Sequence, residues 1–226
     1  MKKIILLFLV VPLLSFSQKE EKINYKKKDK IDAANHITQL KKGVLLVRLS
    51  QKTNTVNAMR KAGKTELADK IVHENWLRNQ EIIAAFRGYF DFCPVYFFYS
   101  EYSTAVTKNE LNNVVFLTDN LEADSSIKVS NEVFYTAEFT SIEPGSRNYA
   151  KSDYLNENEK ESINNGGSGI TLTALVIKDK KFKQLRKPFP YYVREFKELP
   201  IERSVKNVVI KMDLQLTQFL KKEHND

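Results

Sequence analysis

Residues 90–100 read Phe-Asp-Phe-Cys-Pro-Val-Tyr-Phe-Phe-Tyr-Ser (FDFCPVYFFYS) and hold the only cysteine of a 226-residue chain. Pro94 biases Cys93 toward extended geometry, and the run Val95–Tyr99 is aromatic and β-branched, which suits a pleated, buried surface. The stretch predicts a strand reached from a loop. Upstream, Val44–Leu49 (VLLVRL) is too continuously apolar to have a wet face and predicts a second buried strand. Between the two lie helical patterns at Thr53–Ala62 and Thr65–Arg87, broken at Ala62-Gly63-Lys64, with Gly88 expected to close the second in a left-handed conformation. Strand, helix pair and strand together indicate an α/β fold.

Working outward, Val114–Leu117, Val133–Phe139 and Thr171–Ile177 continue the strand signal, and a sheet covered by helices on both sides is expected. Leu67, Ile71, Val72, Trp76, Ile83 and Phe86 form an apolar stripe that should dock the second helix. The stretch AMRKAGKTELADKI resembles one tetratricopeptide helix pair. No second copy follows at that period, and a solenoid needs about three, so a repeat array is excluded. Ile31, Ala34, Ile37 and Leu40 predict a helix before the first strand. Val205, Val208, Val209, Met212, Leu216, Phe219 and Leu220 predict an amphipathic helix at the C-terminus. The fold class is therefore α/β: a mixed, mostly buried sheet with an αα-hairpin and a C-terminal helix packed on it.

At the N-terminus Lys2 and Lys3 precede an apolar run from Ile4 to Leu14, and Ser15 and Ser17 stand at the small-residue positions before a cut after Ser17. Residues 1–17 have the form of a secretory signal peptide. The run is 11 residues, against about 20 needed to span a bilayer. No transmembrane anchor is expected in the mature chain, which would be periplasmic or extracellular. Its loss removes two lysines and no acid, so the formal charge falls from +8 to +6, too modest for a nucleic-acid binder. Residues 18–30 are charged and read as a flexible leader, 31–226 as a single domain, and 141–169 as a long polar surface excursion. One cysteine permits no intramolecular disulfide, so the core alone must stabilise the exported fold.

The signal peptide ending SFSQ, then KKGVLLVRL, the helix pair, FDFCPVYFFYS, TALVIKDKKFKQLRKPFPYYVRE and the closing helix together resemble the uncharacterised secreted α/β proteins common in Bacteroidota. The resemblance implies export and carries no activity with it.

Candidate sites are few. Cys93 lacks a partner thiol two residues away and is flanked by Phe92, Pro94 and Val95, so a buried, inert thiol is expected over a thioredoxin-like redox role. Asp119 and Asp179 each follow an apolar strand, where doubly wound proteins place metal or phosphoryl-transfer carboxylates, although Asp beside Asn or Lys is above all a turn former. Glu101 and Glu138 join such a site only if the fold brings them there. His36, His73 and His224 show no zinc or triad spacing, and the glycine run at 164–169 precedes a strand where a phosphate loop would follow one. Neither a metal nor a cofactor is implied. The remaining feature is the basic cluster Lys178, Lys180, Lys181, Lys183, Arg186 and Lys187 beside Phe182, Phe189, Tyr191 and Tyr192. It reads as a basic hairpin that guards an edge strand or contacts an anionic envelope lipid or glycan. The function expected is an exported non-catalytic binding or scaffolding protein of the envelope, with that lipid or glycan or another envelope protein as partner. The alternative is a redox protein or strand-end-carboxylate enzyme using Cys93, Asp119 or Asp179.

Overall fold

A computed structural model describes residues 11–129, 132–143, 173–196 and 203–225, with side chains described from 27 to 223 within those ranges. The first helix, α1, runs Val11–Lys42. It therefore takes in residues 18–30, where the sequence suggested a leader and helix only from Ile31. No glycine or proline falls between Leu13 and Lys42, and Lys, Glu, Gln and Leu all favour helix, so nothing local interrupts it. Ala33, Ile37 and Leu40 are its buried face, while Ile31 is 53% exposed.

Strand β1 (Val44–Leu49) follows, then helices α2 (Thr53–Lys61) and α3 (Thr65–Tyr89), strand β2 (Val95–Tyr99) and a short helix α4 (Ser103–Thr107). Two-residue strands β3 (Phe116–Leu117) and β4 (Ala123–Asp124) lead to β5 (Phe134–Ser141). Strands β6 (Thr173–Lys178) and β7 (Tyr192–Arg194) and the closing helix α5 (Val205–Asn225) complete the described fold. Of the excursion expected at 141–169, only 141–143 are described; the glycine run and the rest lie outside the described residues.

Among the described residues the sheet has seven strands in the order β4-β3-β2-β1-β5-β6-β7. β1 is parallel to both neighbours, β2 and β5, and all other pairings are antiparallel. A parallel pair needs a crossover, and α2 with α3 supplies the one between β1 and β2. Alternate residues of each strand face opposite sides. Leu45, Val47 and Leu49 join Phe97, Ala137, Leu175 and Ile177 in one core beneath α1, α3 and α5. Val44 and Leu46 join Phe98, Phe116 and Phe134 in a second core on the other face. Helices thus cover one face. Among the described residues the other face, where a second helical layer was expected, carries α4, two 3₁₀ turns and side chains such as Tyr102, Leu111 and Phe182. Asp213 on α5 accepts the backbone N–H groups of Asp91 and Phe92 at 2.9 and 2.8 Å, tying that helix to the loop before β2.

The apolar stripe of α3 docks over only part of its length. Ile83 and Phe86 are buried, but Leu67, Val72 and Trp76 are 43–48% exposed. A 25-residue helix is about 37 Å long, whereas a strand of five or six residues covers about 20 Å, so the N-terminal half of α3 overhangs the sheet.

Three glycines have different roles. Gly63 lies in the break that the sequence predicts between α2 and α3, and it is this glycine, not Gly88, that is left-handed, with φ +71°. Gly88 stays inside α3 and the helix ends a residue later, because Phe90 turns extended. Gly43 lies where α1 meets β1, and a Cβ there would stand 2.4 Å from the Val133 carbonyl oxygen. Gly43→Ala is expected to cost about 2 kcal/mol or more in urea unfolding, while Gly88→Ala, with open space around it, should be neutral or stabilise by up to about 1 kcal/mol. Equal effects of the two would contradict this packing.

Candidate functional site

The parallel pairing of β1 with β2 and β5 places their three C-terminal ends on one edge. The chain leaves β1 toward β2 and leaves β5 toward β6, on the other side, so a crevice opens between β1 and β5. Open α/β sheets bind ligands at such switch points. A cleft of about 890 Å³ lies there, walled by the middle of α3, the ends of β1 and β5, and the residues after β7. This volume is in the range of small-molecule sites.

Its floor is an ionic network. Glu138 on β5 pairs with Arg48 on β1, whose Nη1 donates at 2.5 Å, and with Lys178 on β6, whose Nζ lies 2.9 Å from Oε1. The Lys178 and Glu138 side chains are only 9% and 12% exposed. Lys178 also reaches Glu143 at 3.5 Å. Arg48 donates from Nε to the Ser103 hydroxyl at 2.8 Å and lies over the Phe182 ring. Burial alone would raise the Glu138 pKa; hydrogen bonding and charge from Lys178, and then Arg48, outweigh it and hold the carboxyl below its ordinary value.

The wall is a second network. Arg78 on α3 donates to Glu195 at 2.6 Å and to Glu81 at 3.0 Å, with its guanidinium 4.9 Å from the Phe139 ring centre. The Glu195 side chain is 3% exposed. One turn along, Asn75 and Asn79 both donate to the Ser50 carbonyl, at 2.8 and 2.9 Å, and so satisfy the end of β1. Asn79 is buried within the otherwise apolar face of α3. Lys52 and Arg203 also line the cleft and form no ion pair with a carboxylate among the described residues.

The residues singled out in the sequence lie elsewhere. Cys93 is 7% exposed at the N-terminal end of β2, opposite the cleft, and burial, with a smaller push from Asp213 against the pull of Lys41, drives its thiol up to about 12. Asp119 is exposed and accepts from Arg87 at 2.7 Å; Asp179 accepts the N–H groups of Lys181 and Lys183, both at 2.9 Å, in a tight turn. The two aspartates line no common cavity among those described. The strand-end reasoning fails for a topological reason: β3 and β6 run antiparallel to β2 and β5, so their C-terminal ends fall on the edge away from the cleft.

The basic cluster also divides. Lys178 is a buried ion-pair partner, not a surface contact, because it is the last residue of β6 and points into the second face. Lys180, Lys181, Lys183, Arg186 and Lys187 are exposed. Asp179 and Lys183 line a smaller cavity of about 330 Å³ with Asp32 and His36. There His36 bonds the Tyr135 hydroxyl at 2.8 Å, and burial lowers its pKa against the charges of Asp32 and Asp179. His73 stacks on Trp76 at the surface.

Arg48, Arg78, Asn79 and Glu195 escaped the sequence reading. The available signal was a polar or charged residue inside an apolar strand or helix face: Arg in VLLVRL, Asn79 among the α3 core positions, Glu138 in FYTAEFTS. Comparison with known proteins returns no matching family model, no similar curated protein and no similar solved structure.

Glu138 gives the site a pH signature. Its folded pKa is depressed, so on acidification the unfolded chain takes up the proton first. Its contribution to stability is complete above the ordinary glutamate pKa of about 4.3 and is lost as pH falls toward the folded value. Glu138→Gln should lower stability at pH 7 by about 3 kcal/mol, since Lys178 is left buried with only its longer contact to the exposed Glu143, and should flatten the acid limb of urea stability. An acid limb as steep as the wild type's would show that the pairing is not formed in solution.

Proposed function

We propose that the chain is an exported, non-catalytic binding protein that holds a small polar ligand with an acidic group in the cleft between β1 and β5. One observation carries this reading: the charged groups of the floor and wall are already fixed by partners, Glu138 by Arg48 and Lys178, Glu195 by Arg78. General acid–base chemistry wants a group poised to gain and lose a proton near the working pH. Glu138 is instead held as a carboxylate, and arginine stays protonated. Fixed donors and acceptors of this kind serve recognition, and Lys52 and Arg203 at the cleft supply positive charge for the acidic group.

Export rests on Lys2, Lys3, the apolar run Ile4 to Leu14 and the small serines before Gln18. No helix among the described residues is long and apolar enough to cross a membrane. A periplasmic or extracellular site fits a partner drawn from the envelope. The exposed lysines of the β6–β7 connection are the surface that favours anionic material there.

The reading is tested by thermal melting of the full chain with dicarboxylates, acidic amino acids and neutral sugars of similar size. An acidic ligand at a hundred times its Kd should add about 2.7 kcal/mol of stability. Arg78→Ala and Arg203→Ala should each remove most of that gain. If no acidic compound stabilises the protein, or if turnover is found that Glu138→Gln abolishes, the binding reading is wrong. Recovery from expressing cells should yield a chain beginning at Gln18 outside the inner membrane; an intact Met1 in the cytoplasm would contradict export.

A further inference from the structure

A second concave surface runs along the edge strand β7. It encloses about 520 Å³ between the residues leading into that strand and the outer side of α5. Its charge is one-sided: Lys187, Arg194, Arg203 and Lys211 line it, with no acidic residue among its described lining. None of the four forms an ion pair with a carboxylate among the described residues, in contrast to the arginines of the cleft floor and wall. Besides the buried Phe189, three partly exposed rings lie among them: Tyr191 and Tyr192, with centroids 4.8 Å apart, and Phe196. The Arg194 guanidinium lies 5.9 Å from the Tyr192 ring centre and that of Arg203 5.0 Å from Phe196, so positive charge and flat apolar faces alternate along the groove.

We propose that this groove binds an acidic polysaccharide, a chain of carboxylate-bearing sugar units. Such a chain presents a carboxylate for a guanidinium or ammonium group on each unit and a C–H face that packs on a ring. Gln215 also lines the groove, and its Oε1 is buried without a hydrogen-bond partner among the described residues. A turn of this partly exposed side chain offers that acceptor to a sugar hydroxyl, a donor that a carboxylate or sulfate lacks. An acidic peptide adding a strand to β7 fits less well. Pro188 and Pro190 have no N–H to give, and the Arg194 carbonyl already accepts from Arg203 at 3.2 Å. A lipid surface fits less well too, because Phe189 is buried and Tyr191, Tyr192 and Phe196 are partly buried, leaving only the small ring of Pro188 exposed to insert.

This site extends the binding reading above but does not require the cleft to be filled. The test is calorimetric titration of the full chain with hexagalacturonate, with a neutral hexasaccharide and a short polyglutamate as controls. Hexagalacturonate should bind at low salt and weaken steeply toward physiological ionic strength, where charges are screened beyond about 8 Å. Arg194→Glu and Lys211→Glu should each weaken it at least about tenfold through loss of a charge contact. Tyr192→Ala should weaken it several-fold, while the neutral sugar should not bind measurably. All three positions are exposed or partly so, and unchanged circular dichroism melting will confirm that the variants fold. Arg78→Ala, in the cleft, should leave hexagalacturonate affinity within twofold. Groove binding with no stabilisation by small acids would sustain this proposal and defeat the cleft reading. Loss of hexagalacturonate binding in Arg78→Ala alone would do the reverse. Absence of binding at low salt overturns the proposal, as does equal binding of polyglutamate insensitive to Tyr192→Ala, which would mark a peptide groove.

Discussion

The carboxylate of Glu138 ties three adjacent strands together. Arg48 comes from β1, Glu138 from β5 and Lys178 from β6, so one charge cluster spans the seam where parallel pairing gives way to antiparallel. Lys178 stands opposite Thr136, and Glu138 is two residues further along the same face, a diagonal pair that long side chains can bridge. A one-residue slip of β6 would turn Lys178 into the apolar core under α1, α3 and α5 and break the pair at once. Two charges this poorly hydrated are tolerable only in the correct register, so the network sets register as much as it adds stability.

The antiparallel direction of β6 fixes where chemistry can gather. With β1, β2 and β5 pointing one way, their ends and the middle of α3 enclose the cleft, and Arg78 with Glu195 closes its far wall. With β3 and β6 pointing the other way, Asp119 and Asp179 turn the chain at the opposite edge. The cleft and the groove along β7 meet at Phe196 and Arg203, which line both. The floor and wall of the first are held by ion pairs, with Lys52 and Arg203 left to meet a small acidic ligand, and the second is lined by cations that form no ion pair among the described residues, which suits an extended acidic one.

Much of this architecture is legible in the sequence. Val44–Leu49 and Val95–Tyr99 are strands with the bounds that their composition implies, Gly63 marks the break between α2 and α3, and the stripe from Val205 to Leu216 is the buried face of α5. Local pattern suffices there because each side chain's preference agrees with its tertiary place. The site was less legible because it depends on strand direction, which composition does not encode: Asp119 and Asp179 look alike whether β3 and β6 run with or against β1. Lys178 was hidden among surface lysines, although it ends a buried strand and the others sit in the turn beyond it. The exposed Leu67, Val72 and Trp76 carry a helical stripe without a sheet beneath them, since periodicity does not report how far the sheet extends.

The most direct test of this account is a double-mutant cycle on Glu138 and Lys178, using Glu138→Gln, Lys178→Met and the pair, read by urea unfolding at pH 7. If the buried pair sets the register, the single variants should each lose several times thermal energy and the double variant should recover much of it, giving a coupling of about 1.5 kcal/mol or more. Additive losses, with a coupling within about 0.5 kcal/mol of zero, would show that the two charges do not hold one another in the folded protein and that something else fixes the seam.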